Sequence, residues 1–309
     1  MTSIIYYLLF SFLLLLTACS SSPPDLSDFD LQGHRGARGL LPENTIPSFI
    51  KAVDLGVDTI EFDLVVTADR KLLISHEPWF HHHISTTPDG SPVAQQDELN
   101  YNIFTMTYEQ TRAFDVGIRG HQNFPNQHPL AITKPLMLDA IRAIEAHTEQ
   151  HNLPQMQYNI ETKSRPDHYG VMVPYPTEFA ALLYAELEEL HREFDLFDRV
   201  IIQSFDPATL QEFRKLNKYI DQAILVPDDR SIRFYLEELG YVPEIWSPNY
   251  RFVTREIVLE AHELGMRVIP WTINTVSEMR NQLEMGVDGI ITDYPDSAAA
   301  LRKQEFHHE

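Results

Sequence analysis

Side chains able to do chemistry recur where apolar runs end. His34-Arg35 follows Phe29 and Leu31, Glu61 and Asp63 lie two apart in the run 59–67, and His76 closes the run 72–76. Glu161, with Lys163 two further on, follows the run 156–160. In an extended chain a spacing of two puts Glu61 and Asp63 on one face, with Ile60 and Phe62 on the other. Glu61, Asp63 and Glu161 offer only hard oxygen donors, a set that suits Ca²⁺ or Mg²⁺ rather than zinc. Carboxylates aimed into an interior are costly without a cation, so one divalent ion is expected there. His34 and His76 can take and give a proton near neutral pH. Arg35 presents a planar fork to phosphate oxygens, and Lys163 adds a second positive charge. This combination is suited to hydrolysis of a phosphate ester on a hard metal ion. We expect His34 to assist the nucleophile and His76 to protonate the leaving alcohol, an order the sequence does not fix.

Other residues carry two readings. Glu43 can orient substrate or join the metal's surroundings, yet 42–45, Pro-Glu-Asn-Thr, also reads as a helix start with an acidic first turn. Asn44 shares that ambiguity. Gln203 is placed to touch phosphate or metal-bound water, and Trp271 to form an apolar wall against the alcohol. Phe205 reads as core, Asp288 and Asp293 as loop and cap residues, with Asp293 on the active side. His81-His82-His83 reads as a solvated turn and His307-His308 as incidental.

The elements that must position these groups alternate strand and helix from Phe29 onward. Apolar runs at 59–67, 156–160, 200–205, 222–226, 245–247, 267–271 and 289–292 join the first one, and helical periodicity fills most intervals. Continuous apolar strands are expected where both sheet faces are buried. Eight strands in this order predict an α/β fold, a (β/α)₈ TIM barrel over residues 29–309, whose chemistry belongs at the carboxyl ends of the strands. An open doubly wound sheet is the alternative, lowered because no glycine-rich phosphate loop opens a helix. Alternation stops at 78–130, which is rich in His, Pro, Gly, Asn and Gln. Leaving from the active end of strand two, it reads as an inserted lid or small subdomain.

The order HRG, PENT, ExD and a strand ending in His resembles the glycerophosphodiester phosphodiesterase family. Glu-x-Lys at 161–163, QSF at 203–205, WTIN at 271–274 and GVDGIITDYP at 286–295 extend the resemblance over nearly the whole mature chain. The insertion resembles that of the larger exported bacterial members. The resemblance implies cleavage of glycerophosphodiesters to sn-glycerol 3-phosphate and an alcohol, and strengthens Glu161 as a metal ligand. One departure stands out: the family usually has Asp after the second histidine, and this chain has Glu77. Two competitors are a phosphodiesterase acting on lipid or lysolipid and a non-catalytic phospho-ligand-binding lipoprotein. The polar insertion speaks against the first, the paired histidines against the second.

The 309 residues carry a formal net charge of -21, which disfavours nucleic acid and anionic surfaces and tolerates a divalent cation. An apolar share of 43% suffices for an ordinary core. The run 4–16 is shorter than the roughly 20 residues of a span and fits the apolar part of a secretory signal. Leu-Thr-Ala-Cys then ends at Cys19, the single cysteine, before a Ser/Pro/Asp linker at 20–28. Residues 1–19 therefore read as a lipoprotein signal, with Cys19 lipidated and the membrane touched only through that anchor. Ser20 behind the cysteine favours the outer membrane, facing the periplasm. Against this, 1–19 contain no Lys or Arg, which leaves an ordinary cleaved signal as the alternative.

Overall fold

A computed structural model describes residues 28–306. The apolar run 4–16, Cys19, most of the linker and His307-His308 lie outside the described residues. Nine strands form in chain order: β1 (Asp30–Gly33), β2 (Thr59–Val66), β3 (Leu72–Ile74), β4 (Gln157–Thr162), β5 (Val200–Ser204), β6 (Asp221–Val226), β7 (Ile245–Pro248), β8 (Arg267–Val268) and β9 (Gly289–Thr292). All but β3 lie side by side and parallel, in the order β8-β7-β6-β5-β4-β2-β1-β9. The circle is completed by Asp288 N donating to Val268 O at 2.9 Å and Ile291 N to Pro270 O at 3.0 Å. The fold is the expected eight-stranded α/β barrel.

The regular β8 stops at Val268, short of the expected Trp271. Pro270 has no N–H to give, but the neighbouring contacts persist: Ile269 N donates to Trp246 O and Trp271 N to Pro248 O, both at 3.0 Å. Helices cover the outside: α1 (Ile46–Leu55), α3 (Met137–His151), α4 (Pro176–Phe194), α5 (Pro207–Leu216), α6 (Ile232–Leu239), α7 (Arg255–Glu263), α8 (Val276–Met285) and α9 (Pro295–Phe306), while the short α2 (Tyr108–Thr111) lies between β3 and α3. In α1, Phe49, Ala52 and Val53 recur at helical spacing and are buried; Gly56 ends it at φ 83°, a left-handed cap that costs glycine nothing. No helix among the described residues is long and apolar enough to cross a membrane.

Alternation along each strand divides the core in two. Outward-facing residues such as Phe62, Ile160 and Ile202 pack under the helices. Ile201, Ala223, Ile245, Ile269 and Ile291 form a separate apolar floor, with Trp271 packed on it. Two residues further along β5, and beyond β8 and β9, the same parity brings up Gln203, Trp271 and Asp293. The register sets Asp63 level with Glu161, and Glu161 level with Gln203, so three expected site residues share one row.

After β2 the chain turns back as β3, pairing antiparallel (Leu64↔Ile74), and leaves the barrel. It returns at Pro135, whose carbonyl accepts the Ile74 N–H at 2.9 Å. The excursion has a core of its own: Phe80 stacks on Phe114 at 4.0 Å, with Ile84, Val93, Ile103 and Val116 packed against Val65 and Leu73.

Candidate active site

The loop after β1 is built for close approach. A Cβ on Gly36, which has φ 85°, would lie 2.6 Å from Ser48 Oγ. Arg35 and Asn44 also adopt left-handed backbone, at φ 52° and 57°. Strain of this kind in non-glycine residues gathers at functional sites. Here it directs the Arg35 N–H onto Glu61 Oε2 at 2.9 Å and Asn44 Nδ2 onto Asp63 Oδ2 at 2.8 Å. Gln203 Nε2 donates to Glu61 Oε1 at 2.8 Å.

Glu61, Asp63 and Glu161 are all buried and can bring one oxygen each within 4.8 Å of one another. Burial pushes Glu61 well above the ordinary carboxyl range, and the charges of Asp63 and Glu161 push the same way. Burial also lifts Glu161 to about 7, with Lys163 opposing and Asp63 assisting. Burial would raise Asp63 too, but Arg35, His76 and Lys163 outweigh it and hold that carboxyl well below its usual range. Asp63 Oδ1 is buried without a hydrogen-bond partner. An ionised carboxylate oxygen without a hydrogen bond, with Lys163 Nζ near it at 3.6 Å, beside two carboxyls that resist ionising fits a hard divalent cation, so these residues can hold one.

Both histidines are backed by a carboxylate. His34 Nδ1 lies 2.6 Å from Asp293 Oδ1, and Asn274 Nδ2 donates to the other oxygen of Asp293 at 2.7 Å. His76 Nδ1 lies 2.5 Å from Glu77 Oε1. With Nδ1–H given to a carboxylate, each ring keeps its Nε2 lone pair, the arrangement of a positioned base. Burial lowers the His34 pKa despite Asp293, and burial with Arg35 and Lys163 lowers His76 to about 4. Burial works against Glu77, but the charge of His76 and its hydrogen bond prevail and bring Glu77 to about 2.

Cations balance this acidity. Arg35 Nη1 donates to Glu43 at 2.7 Å, and its Nε lies 3.3 Å from Asp63 Oδ2. Arg38 Nε reaches Glu43 at 2.5 Å, and Lys163 Nζ reaches Glu161 at 2.6 Å. Lys134, only 5% exposed, stands behind the site with its ammonium 5.7 Å from the Phe80 ring.

An inner cavity of about 170 Å³ is lined by His34, Arg35, Glu61, His76, Glu161 and Gln203, with Trp271 and Phe205 as an aromatic wall. An outer cavity of about 360 Å³ shares His76, Glu161 and Phe205 with it and continues past Trp79, Lys163 and His168. Of the expected residues, the structure brings His34, His76, Arg35, Lys163, Gln203, Trp271, Glu61 and Glu161 onto these two chambers, with Asp63 buried beside the other two acids but lining neither. Glu43 and Asn44 stand behind them, holding Arg35 and Asp63.

Three readings of the sequence are corrected. Phe205 is not core: it is 39% exposed and meets Trp271 edge-on at 5.4 Å, because it lies one residue beyond β5 where the chain turns over the mouth. Asp293 is not a mere cap, since barrel closure beside β1 sets it against His34; Asp288 does serve the backbone, accepting from Val268 N at 2.6 Å. His81-His82-His83 do not splay into solvent but gather, with ring centroids 4.2–4.6 Å apart. Arg38, Glu77 and Lys134 went unassigned by sequence reasoning, and only Glu77, adjacent to His76, carried a positional hint.

Comparison with known proteins agrees with this geometry. The pattern of the glycerophosphoryl diester phosphodiesterase family matches residues 34–297. A glycerophosphodiester phosphodiesterase of Bacillus altitudinis is 28% identical, over 88% of this chain and 97% of its own. The crystal structure of a candidate glycerophosphoryl diester phosphodiesterase from Silicibacter pomeroyi superposes with a TM-score of 0.77 at 29% identity, covering 92% of this chain and 95% of that one. A phosphodiesterase of Oleispira antarctica, solved with its product sn-glycerol-3-phosphate, shares the fold at a TM-score of 0.70 and 22% identity, covering 89% and 97%.

Proposed function

Because the chain belongs to the glycerophosphoryl diester phosphodiesterase family, we propose that it hydrolyses glycerophosphodiesters to sn-glycerol 3-phosphate and an alcohol, with one Ca²⁺ or Mg²⁺ held by Glu61, Asp63 and Glu161. The observation that carries the reading is two carboxylate-backed histidines facing one cavity beside an acidic cluster with an orphaned oxygen. Bound there, the ion supplies Lewis-acid charge against the phosphate oxygens. Arg35 and Lys163 add fixed positive charge to the same walls, while Glu43 and Asn44 hold Arg35 and Asp63 in place. Gln203 steadies Glu61.

His34 Nε2 takes the proton of the attacking hydroxyl, whether of water or of the substrate's neighbouring carbon. His76 gives a proton to the departing alcohol. The chambers support this order: His76 lines both, whereas His34 lines only the inner one, which suits a leaving group placed in the roomier outer chamber. Phe205 and Trp271 form the apolar wall beside it. An anionic phosphate next to His76 raises its otherwise depressed pKa when substrate binds, which lets it carry the proton it must deliver.

The protein acts as a lipoprotein anchored through Cys19, exported and facing the periplasm from the outer membrane. Its sole cysteine behind an apolar run and before a polar tether supports this. Residues 78–130 act as a lid at the outer chamber, whose wall takes Pro78 and Trp79 from the start of the segment. The substrate class is tested by offering glycerophosphocholine and lysophosphatidylcholine in parallel and identifying products by mass. Preferential turnover of the first, with sn-glycerol 3-phosphate formed, is expected; preferential turnover of the second would move the enzyme to the lysolipid-directed alternative.

A further inference from the structure

We propose a second metal site, selective for a zinc-class divalent ion, formed by His81, His82 and His83 in the insertion. One ring nitrogen from each lies within 4.8 Å of the others. Tetrahedral zinc with Zn–N bonds near 2.0–2.1 Å sets its nitrogens roughly 3.4 Å apart, so the rings draw together when the ion binds. Imidazole nitrogens suit Zn²⁺, Co²⁺ or Ni²⁺ and suit Ca²⁺ or Mg²⁺ poorly, which separates this site from the carboxylate cluster.

The surroundings prepare the rings for coordination. His82 Nδ1 lies 2.6 Å from Glu98 Oε2, which also accepts the His82 backbone N–H at 3.1 Å. A carboxylate holding Nδ1–H leaves Nε2 as a lone pair, the arrangement that commonly backs metal-bound histidine. The same oxygen lies 3.9 Å from His81 Nε2. His81 Nδ1 accepts a single long bond, from the His83 N–H at 3.2 Å, which an ion bound at that nitrogen would replace. Neither ring nitrogen of His83 has a hydrogen bond among the described residues. The loop itself is fixed, with Arg119 Nη1 donating to His82 O at 3.1 Å and to Ser85 O at 3.0 Å.

The position gives the site a role. His81 and His83 line a cavity of about 210 Å³ that also touches His76, Glu77 and Glu43. An ion here ties the loop 81–83 to the turn Glu98–Asn100 and fixes the wall of the insertion that faces the proton-transfer residues. It is a structural ion, distinct from the one that meets phosphate.

The test uses the untagged protein stripped by chelation and titrated with Co²⁺. One equivalent is expected to bring the strong visible absorption of tetrahedral cobalt, displaced by Zn²⁺ and unmoved by excess Ca²⁺. The combined His82→Ala and His83→Ala variant should lose it, Glu98→Gln should bind Co²⁺ about 10–100-fold more weakly, and Glu61→Gln should leave it intact. Absence of the band in the wild type, or its survival in the double variant, would overturn the proposal. If the double variant fails to fold, Glu98→Gln, which keeps all three rings, decides: unchanged cobalt affinity overturns it. None of these readouts depends on turnover, so the diesterase reading and the second site can fail separately.

Discussion

Replacing Asp293 by Asn should damage the enzyme more than replacing it by Ala. Asp293 Oδ1 faces His34 Nδ1 at 2.6 Å, while Oδ2 accepts from Asn274 Nδ2 at 2.7 Å. Asn274 cannot turn its amide around, because its Oδ1 already accepts the Asp293 backbone N–H at 3.0 Å. In Asp293→Asn the new carbonyl oxygen must therefore face Asn274, and the new NH₂ must face His34. Nδ1 becomes an acceptor, the ring proton moves to Nε2, and the nitrogen turned to the substrate can no longer take a proton. A general base contributes about 10²–10⁴-fold, and loss through the wrong tautomer reaches the upper part of that range. Asp293→Asn should thus lower kcat by about 10³–10⁴-fold, roughly 4–5 kcal/mol of barrier at 1.36 kcal/mol per decade. Asp293→Ala only frees the ring to choose either tautomer and should cost about 10–100-fold. The assay is initial-rate release of sn-glycerol 3-phosphate at saturating substrate, with circular dichroism and divalent-ion affinity as controls. If Asp293→Asn matches or exceeds Asp293→Ala in activity while folded and ion-competent, the tautomer argument is wrong.

The carboxylate site should bind its ion with a proton penalty. Glu161 sits near pKa 7 without metal and must ionise to coordinate, so Ca²⁺ or Mg²⁺ affinity rises with pH through that value. Counting that proton alone, calorimetry should give a dissociation constant about 50-fold weaker at pH 5 than at pH 7; a flat profile would remove Glu161 from the ligand set. His34 must be neutral to accept a proton, and its pKa is lowered, so the acid limb of kcat/KM should fall below the ordinary imidazole value of 6.5. A limb above 6.5 would contradict that. Phe205→Ala should raise KM several-fold with little change in melting temperature, since the ring is half in solvent at the cavity wall; a large drop in melting temperature would return it to the core. Cys19→Ser should release the protein from membranes on fractionation, and continued membrane association would refute the anchor.

The architecture was legible because barrel strands buried on both faces read as plain apolar runs, and because reactive residues closed so many of them. Glu61 and Asp63 announced themselves through the strand period alone, and the lateral row Asp63–Glu161–Gln203 realises that parity across β2, β4 and β5. What stayed hidden was pairing across the closure. His34 and Asp293 are 259 residues apart, and only the β1–β9 register, Gly33↔Thr292, brings them together. The insertion was harder still. Its core is assembled from isolated apolar residues such as Phe80, Ile103 and Phe114, without a period to reveal it. The triple histidine looked like a solvated turn because the residue that orders it, Glu98, comes 16 positions later than His82. Phe205 was misjudged for a simpler reason: one residue past a strand's end, an aromatic can face either the core or the mouth.

The central claim is tested most directly by following sn-glycerol 3-phosphate released from glycerophosphocholine, first with the protein as purified, then after chelation, then with Ca²⁺ or Mg²⁺ restored. Release that chelation abolishes and one of these ions restores, in the wild type but not in Glu61→Gln, is the expected result. Undiminished release after complete removal of divalent ions would contradict the account.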